Sequence, residues 1–161
     1  AMRELREQDF APDWIVFATS SGGTQAGMLL GARETGIQTK ILGISVDKSA
    51  DEFCETVAGI ANAGAELLGQ KASFHAEEIL VNDAYCSAGY AVLTAAEEEA
   101  IQLFARQEGI LLDPVYTGRA AAGLLDLLRK GFFKSDETIL FWHTGGTPAL
   151  FVEQYSKKLL S

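Results

Sequence analysis

A cluster of hydroxyl and glycine residues, Ser20-Ser21-Gly22-Gly23-Thr24, lies between an apolar run and a helical pattern. Backbone N–H groups in the first turn of a helix have no partners inside the helix, and the helix dipole is positive at this end. Glycines let an anion approach the main chain, and the hydroxyls of Ser21 and Thr24 add hydrogen-bond donors. The pattern therefore predicts a phosphate-binding turn formed by Ser21, Gly22, Gly23 and Thr24, called here the 21–24 turn.

The spacing of the glycines does not match the two common nucleotide-binding fingerprints. Gly22, Gly23 and Gly27 lack the G-x-G-x-x-G spacing of dinucleotide-binding proteins. Gly22 and Gly27 are separated as in a P-loop, but Met28 and Leu29 stand where Lys and Ser or Thr are needed. A nucleotide is therefore disfavoured, while a sugar phosphate or pyridoxal phosphate stays open. A plain strand-to-helix connection, with its threonine as the helix cap, is the structural alternative.

Composition and charge limit the classes of partner. A chain of 161 residues, 48% of them hydrophobic, can form one domain with a core. No apolar run approaches the roughly 20 residues that span a bilayer, and we expect no membrane partner. The formal net charge of −9 disfavours nucleic acid, which would repel the chain.

The cysteines and histidines predict no metal site. Cys54 and Cys86 are isolated, and His75 and His143 have no metal-ligand spacing. The residues at the start of the sequence have no apolar segment typical of a signal peptide. Reduced thiols and a cytoplasmic location are therefore expected.

Strand and helix patterns alternate along the chain. Strands are predicted at residues 14–19, 40–46, 110–112 and 138–142, and a short apolar segment at 78–81; helices are predicted at 24–34, 50–68, 94–106 and 117–130. The strands are continuously apolar, as expected for strands buried on both faces. The fold class is therefore α/β, with a parallel sheet between helices on both faces in three αβα layers. In such sheets ligands bind at the carboxyl ends of strands.

Three ordered segments resemble one enzyme family: Ser21-Gly-Gly-Thr-Gln-Ala-Gly27, Glu108-Gly-Ile-Leu-Leu-Asp-Pro-Val-Tyr-Thr-Gly-Arg119 and His143-Thr-Gly-Gly-Thr-Pro-Ala-Leu-Phe151. They are similar to the D-cysteine desulfhydrase and 1-aminocyclopropane-1-carboxylate deaminase family of fold-type II pyridoxal-phosphate enzymes. The resemblance extends from about Asp13 to Phe151, and residues 1–161 correspond to the C-terminal, cofactor-phosphate part of a family member. It implies pyridoxal phosphate as cofactor and a small amino acid as substrate.

The resemblance also assigns roles to individual residues. The 21–24 turn matches the cofactor-phosphate site, and Tyr90 and Tyr116 match two catalytic tyrosines near the substrate. Thr144 matches the position that faces the pyridine nitrogen in the desulfhydrases; its structural alternative is a helix cap. Tyr90 could instead be merely packed. His143, beside a glycine turn, is expected to be structural rather than an acid or base.

Two threonines favour the desulfhydrase subclass, which converts D-cysteine to pyruvate, sulfide and ammonia. The deaminases carry Glu where Thr117 stands and Leu where Thr144 stands. A 1-aminocyclopropane-1-carboxylate deaminase-like fragment is the first alternative. A non-catalytic anion-binding or interaction module is the second.

The lysine that holds the cofactor covalently in this family follows an asparagine. Here Asn62 and Asn82 precede Ala63 and Asp83, so that motif is missing, and the isolated chain is expected to be inactive. The lysines present are expected on the surface. We also expect a homo-oligomer, or completion by a missing N-terminal half, because the apolar helix face at residues 120–125 would lack cover.

Overall fold

The computed structural model describes residues 1–159. Its strands are β1 (Trp14–Thr19), β2 (Lys40–Ser45), β3 (Leu80–Asn82) and β4 (Ile139–Phe141). Its helices are α1 (Met2–Glu7), α2 (Gly23–Thr35), α3 (Ala50–Leu67), α4 (Ala95–Glu108), α5 (Thr117–Arg129) and α6 (Glu153–Leu159). Two short 3-10 turns lie at Ala76–Glu78 and Thr147–Phe151.

The four strands form one parallel sheet in the order β3-β2-β1-β4. Alternate residues of β1 face opposite sides, and both sides are buried because the strand is apolar from Trp14 to Ala18. Ile15 packs in a cluster with Met2 and Met28 from α1 and α2, whereas Val16 packs with Ala120 and Leu124 of α5. Helices therefore cover both faces, and the predicted three-layer α/β fold is confirmed.

The helix ends follow the expected capping chemistry. The Ser49 side chain accepts a first-turn N–H of α3, and Thr94 and Glu97 form a reciprocal capping box at the start of α4. Gly36 and Gly109 end α2 and α4 in the left-handed conformation, where a side chain would be strained. Local sequence signals therefore set these boundaries.

The strand predicted at residues 110–112 is wrong, because this segment has no strand structure. It lies between the helix end at Gly109 and Asp113-Pro114, which leaves too little length for a ladder, and proline has no N–H to donate. The Leu111 carbonyl instead accepts a hydrogen bond from the His143 ring.

The prediction that residues 120–125 lack cover is also wrong. Ala120, Ala121 and Leu124 are buried against the sheet or α4. Helices α1 and α6 were not predicted, since each is too short for a clear periodic pattern. Helix α1 nonetheless packs closely on α2. A Cβ on Gly31 of α2 would lie 2.7 Å from the Met2 side chain of α1.

Candidate functional site

A cleft of about 270 Å³ opens at the carboxyl ends of β1 and β4. From β1 the chain continues to β2 on one side, while β4 lies on the other, so the strand order reverses here. Ligands in open parallel sheets bind at such points. The cleft is lined by Ala18, Thr19, Ser20, Ser21, Gly22, Thr24, Tyr116, Thr144, Gly145 and Gly146. The structure therefore brings the predicted 21–24 turn, Tyr116 and Thr144 together.

The 21–24 turn enters α2 through a left-handed glycine. Gly22 has φ 81°, and a Cβ there would lie 3.1 Å from the Val57 side chain, so glycine is favoured on both grounds. Within residues 1–159, no side chain caps the first turn of α2, and Thr24 is inside the helix rather than at its cap. The capping role considered for Thr24 is therefore wrong, and the first-turn N–H groups keep their capacity to bind an anion.

The opposite wall of the cleft is a glycine turn held by His143. The ring Nδ1 accepts the Gly145 N–H at 3.1 Å, which leaves Nε2 as the donor to the Leu111 carbonyl at 3.1 Å. Both ring nitrogens thus have structural partners. Gly146 caps the following 3-10 turn, so Thr144 is not the cap and stands in the cleft lining instead.

The buried Asp113 carboxylate positions Tyr116. It accepts the backbone N–H groups of Val115 and Tyr116 at 2.8 Å and of Thr117 at 2.7 Å, together with the Thr117 hydroxyl at 2.7 Å. This carboxylate also packs against the glycine turn, because a Cβ on Gly146 would lie 2.7 Å from Asp113 Cγ. One side chain therefore joins the tyrosine side of the cleft to its Thr144 side.

Tyr90 and Tyr116 form a hydroxyl pair. Their hydroxyl groups share a hydrogen bond, and their rings meet edge to face with centroids 6.1 Å apart. The hydrogen bond with Tyr90, followed by burial and then by electrostatic interaction with Tyr90, Asp113 and Asp47, raises the pKa of Tyr116 to about 12. The Tyr116 hydroxyl is therefore protonated at neutral pH and is able to donate. Tyr90 is half exposed but hydrogen-bonded, rather than merely packed.

Replacing Tyr90 by Phe is expected to lower the pKa of Tyr116 toward its usual value of 10.0, because the hydrogen bond is the largest cause of the rise. NMR of tyrosine labelled with ¹³C at Cζ measures this directly at pH 11, where Tyr116 should change from mostly neutral to mostly ionised. Tyr85→Phe, which alters a tyrosine paired with Asp126, should leave Tyr116 unchanged. An unaltered Tyr116 signal in Tyr90→Phe would show that the pair does not form.

No lysine lies among the cleft residues within the part of the chain that the structure describes. Lys40 pairs with Glu137 at 3.2 Å, and Lys48 pairs with Glu52 at 2.7 Å, both on the surface. Across residues 1–159 there is also no group of His, Cys, Asp or Glu side chains that could hold a metal ion, and no helix long and apolar enough to cross a membrane.

Asp113 is absent from the predicted site residues, because Asp113-Pro114 directly follows the strand predicted at residues 110–112 and indicates only where that strand ends. The available signal was an Asp four residues before Thr117 at a helix start, which is typical of side-chain capping. The sequence indicates a glycine turn after His143, but not the left-handed φ angles of 96° and 97° with which Gly145 and Gly146 form the opposite wall.

Comparisons with known proteins identify the family of the chain. Residues 1–145 match the family model described as pyridoxal-phosphate dependent enzyme. Two relatives named 1-aminocyclopropane-1-carboxylate deaminase are 39% identical, in Methylobacterium sp. (strain 4-46), and 37% identical, in Methylobacterium nodulans (strain LMG 21967 / CNCM I-2342 / ORS 2060). Each alignment covers 90% of this chain and 43% of the relative.

A solved structure extends the match. The crystal structure of an ACC deaminase homologue is 37% identical with a TM-score of 0.85, and the match covers 99% of this chain and 47% of that one. The chain thus spans less than half the length of the relatives it matches. Sequence and fold together show that the chain belongs to the fold-type II family of pyridoxal-phosphate-dependent enzymes.

Proposed function

We propose that this chain is the cofactor-phosphate part of a pyridoxal-phosphate-dependent lyase or deaminase that acts on a small amino acid. The observation that carries the proposal is the uncapped start of α2, which opens into a cleft shared with Tyr116 and Thr144. The 21–24 turn would hold the cofactor phosphate, Thr144 would face the ring nitrogen, and the tyrosine pair would act near the substrate.

The residues present fit the phosphate. The turn offers backbone N–H groups at the positive end of a 13-residue helix, with hydroxyl donors from Ser21 and Thr24. No acidic side chain is among the cleft residues in the described part of the chain, although the chain as a whole carries a net charge of −9. The Asp113 carboxylate packs behind Gly146 and already accepts three backbone N–H groups and one hydroxyl, so it does not itself line the place where an anion would bind.

The residues beside the phosphate site have chemistry that suits an amino-acid lyase. Pyridoxal phosphate, when bound, supplies an electron-withdrawing ring that stabilises negative charge at the α carbon of an amino acid. The Thr144 hydroxyl is neutral and suits an unprotonated ring nitrogen. Tyr116, with a pKa of about 12, holds its proton and is able to donate it toward a substrate group.

D-cysteine is the substrate that we favour, and 1-aminocyclopropane-1-carboxylate is the alternative. Thr144 in the cleft supports the first, while the names of the relatives support the second. Thr117 supports D-cysteine less than Thr144 does, because the buried Thr117 hydroxyl donates to Asp113 and this residue does not line the cleft. Assays of the complete protein for sulfide from D-cysteine and for ammonia from 1-aminocyclopropane-1-carboxylate distinguish the two.

Replacing Thr24 by Val is expected to weaken binding of pyridoxal 5′-phosphate about tenfold, since one hydrogen bond to a charged group contributes roughly 1.5 kcal/mol. Isothermal titration calorimetry measures the change. Thr35→Val is the matched control at the other end of α2, where the hydroxyl bonds to the Gly31 carbonyl. Equal binding of pyridoxal, which lacks the phosphate, would contradict a phosphate site.

We further propose that the covalent lysine lies outside this chain, so that the chain alone is inactive. Incubation with pyridoxal 5′-phosphate, borohydride reduction and mass spectrometry should show no lysine modified stoichiometrically, and D-cysteine should yield no sulfide. The complete protein, treated in parallel, should show one modified lysine. Stoichiometric modification of a single lysine within residues 1–161 at equimolar cofactor would overturn this proposal.

A further inference from the structure

Arg119 is fully buried in α5, which is unusual for an arginine. Its Nε donates to Glu97 Oε1 at 2.9 Å, and its Nη1 donates to the Val46 carbonyl at 2.6 Å. Its Nη2 donates to the carbonyls of Gly89 and Val92, both at 3.0 Å. One guanidinium thus links the end of β2, the start of α4 and the segment between them.

The two carbonyls that Nη2 contacts flank Tyr90. The backbone between them is strained at Ala91, whose φ of 60° is costly for a residue with a side chain, while the φ of 99° at Gly89 is one that glycine adopts freely. Such a loop keeps its shape only if surrounding groups hold it. Arg119 of α5 donates to the Gly89 and Val92 carbonyls of this loop. The hydroxyl of Tyr155, a residue of α6, donates to the Ala91 carbonyl at 2.7 Å.

We infer that Arg119 is a positioning residue that brings the Tyr90 hydroxyl to the Tyr116 hydroxyl. Tyr116 immediately precedes α5, and Arg119 lies three residues later, one helical turn along. The same segment therefore places Tyr116 directly and Tyr90 through its loop. The functional meaning of this role rests on the proposed function, in which the tyrosine pair acts near the substrate.

The shape of the guanidinium explains why a lysine would not replace it. Arginine presents five N–H donors in a rigid planar fork, so it reaches a carboxylate and three separate carbonyls at once. Lysine has the same charge but a single nitrogen with three donors on a flexible chain. Arg119→Lys therefore keeps a basic side chain opposite Glu97 while it removes the planar donors that contact the Gly89 and Val92 carbonyls.

The test compares Arg119→Lys, Tyr90→Phe and the double variant by ¹³C NMR of labelled tyrosine at pH 11, with circular dichroism to confirm folding. We expect Arg119→Lys to lower the pKa of Tyr116 from about 12 toward 10.0, as Tyr90→Phe does, with no further change in the double variant. The Asp113 and Asp47 carboxylates, whose charges also raise the pKa of Tyr116, are present in all three variants. An unshifted Tyr116 in Arg119→Lys, or additive shifts in the double variant, would overturn the inference.

Arg129→Lys is the matched control, because Arg129 is an exposed arginine of the same helix that pairs with Glu99. It should leave Tyr116 unchanged. If Arg119→Lys does not fold, Glu97→Gln replaces it: loss of the charged partner loosens the guanidinium, and a smaller fall in the Tyr116 pKa is expected. An unchanged pKa in Glu97→Gln would then overturn the inference.

Cofactor binding separates this inference from the proposed function. The described contacts of Arg119 do not include the 21–24 turn, so Arg119→Lys should bind pyridoxal 5′-phosphate within about twofold of the unmodified chain. If the unmodified chain itself does not bind the cofactor, the proposed function fails, while the tyrosine titration still decides the role of Arg119.

Discussion

Asp113→Ala is expected to lower the free energy of unfolding by about 3–5 kcal/mol, because it leaves several buried donors without an acceptor at about 1–3 kcal/mol each. The wild-type carboxylate accepts three backbone N–H groups and one hydroxyl, and it is fully buried. Chemical denaturation monitored by circular dichroism measures the loss. The variant should also lose the fixed geometry of Tyr116.

Two further variants make this prediction specific. Asp113→Asn keeps one carbonyl oxygen as an acceptor, so it should lose less stability than Asp113→Ala. Asp136→Ala, which removes an exposed carboxylate, should change the free energy of unfolding by less than about 0.5 kcal/mol. A loss in Asp113→Ala as small as that in Asp136→Ala would contradict the role given to Asp113.

Arg119→Met is expected to destabilise the chain by about 3–5 kcal/mol, the range found when one partner of a buried ion pair is removed. It leaves the Glu97 carboxylate buried without its cation and leaves the Val46, Gly89 and Val92 carbonyls without their donor. Arg119→Met combined with Glu97→Gln should lose less than the sum of the two single variants, because the unpaired charge is gone. Strict additivity would show that the two side chains do not interact.

The Arg119–Glu97 ion pair is expected to make the stability of the chain depend on pH. Burial opposes ionisation of Glu97, but hydrogen bonds from Thr94 and Arg119 outweigh it and hold the pKa of this carboxyl below 4.5. A lowered pKa in the folded state means that the stabilisation is complete above the unfolded pKa and is lost as the pH falls through the folded one. The stability difference between wild type and Glu97→Gln should therefore be constant near pH 7 and shrink below about pH 4.5.

The architecture was predictable because its signals are local and mutually consistent. Continuous apolar runs indicate the central strands, and a serine, a threonine and a glycine of the types preferred at helix ends stand at the boundaries that the structure shows, Ser49, Thr94 and Gly109. The 21–24 turn was also accessible, since glycines and hydroxyls follow directly on a buried strand. The structure places this turn, Tyr116 and Thr144 around one cleft.

The features that could not be predicted depend on contacts between distant parts of the chain. Arg119 is a site-supporting residue only because Gly89 and Val92 are brought to it by the fold. Residues 110–112 looked like a strand because they are apolar, yet only Leu112 is buried and the Leu111 carbonyl is used by His143. The hydrophobic pattern of a segment describes that segment alone and does not show which groups its backbone will hydrogen-bond in the fold.

The central claim is that the 21–24 turn binds the phosphate of pyridoxal phosphate, and ¹⁵N NMR of the chain titrated with the cofactor tests it most directly. The backbone amide signals of Gly23, Thr24 and Gln25, in the first turn of α2, should shift most and saturably. Inorganic phosphate should shift the same signals more weakly, and pyridoxal should leave them unmoved. Saturable shifts elsewhere, with these three amides unchanged, would contradict the account.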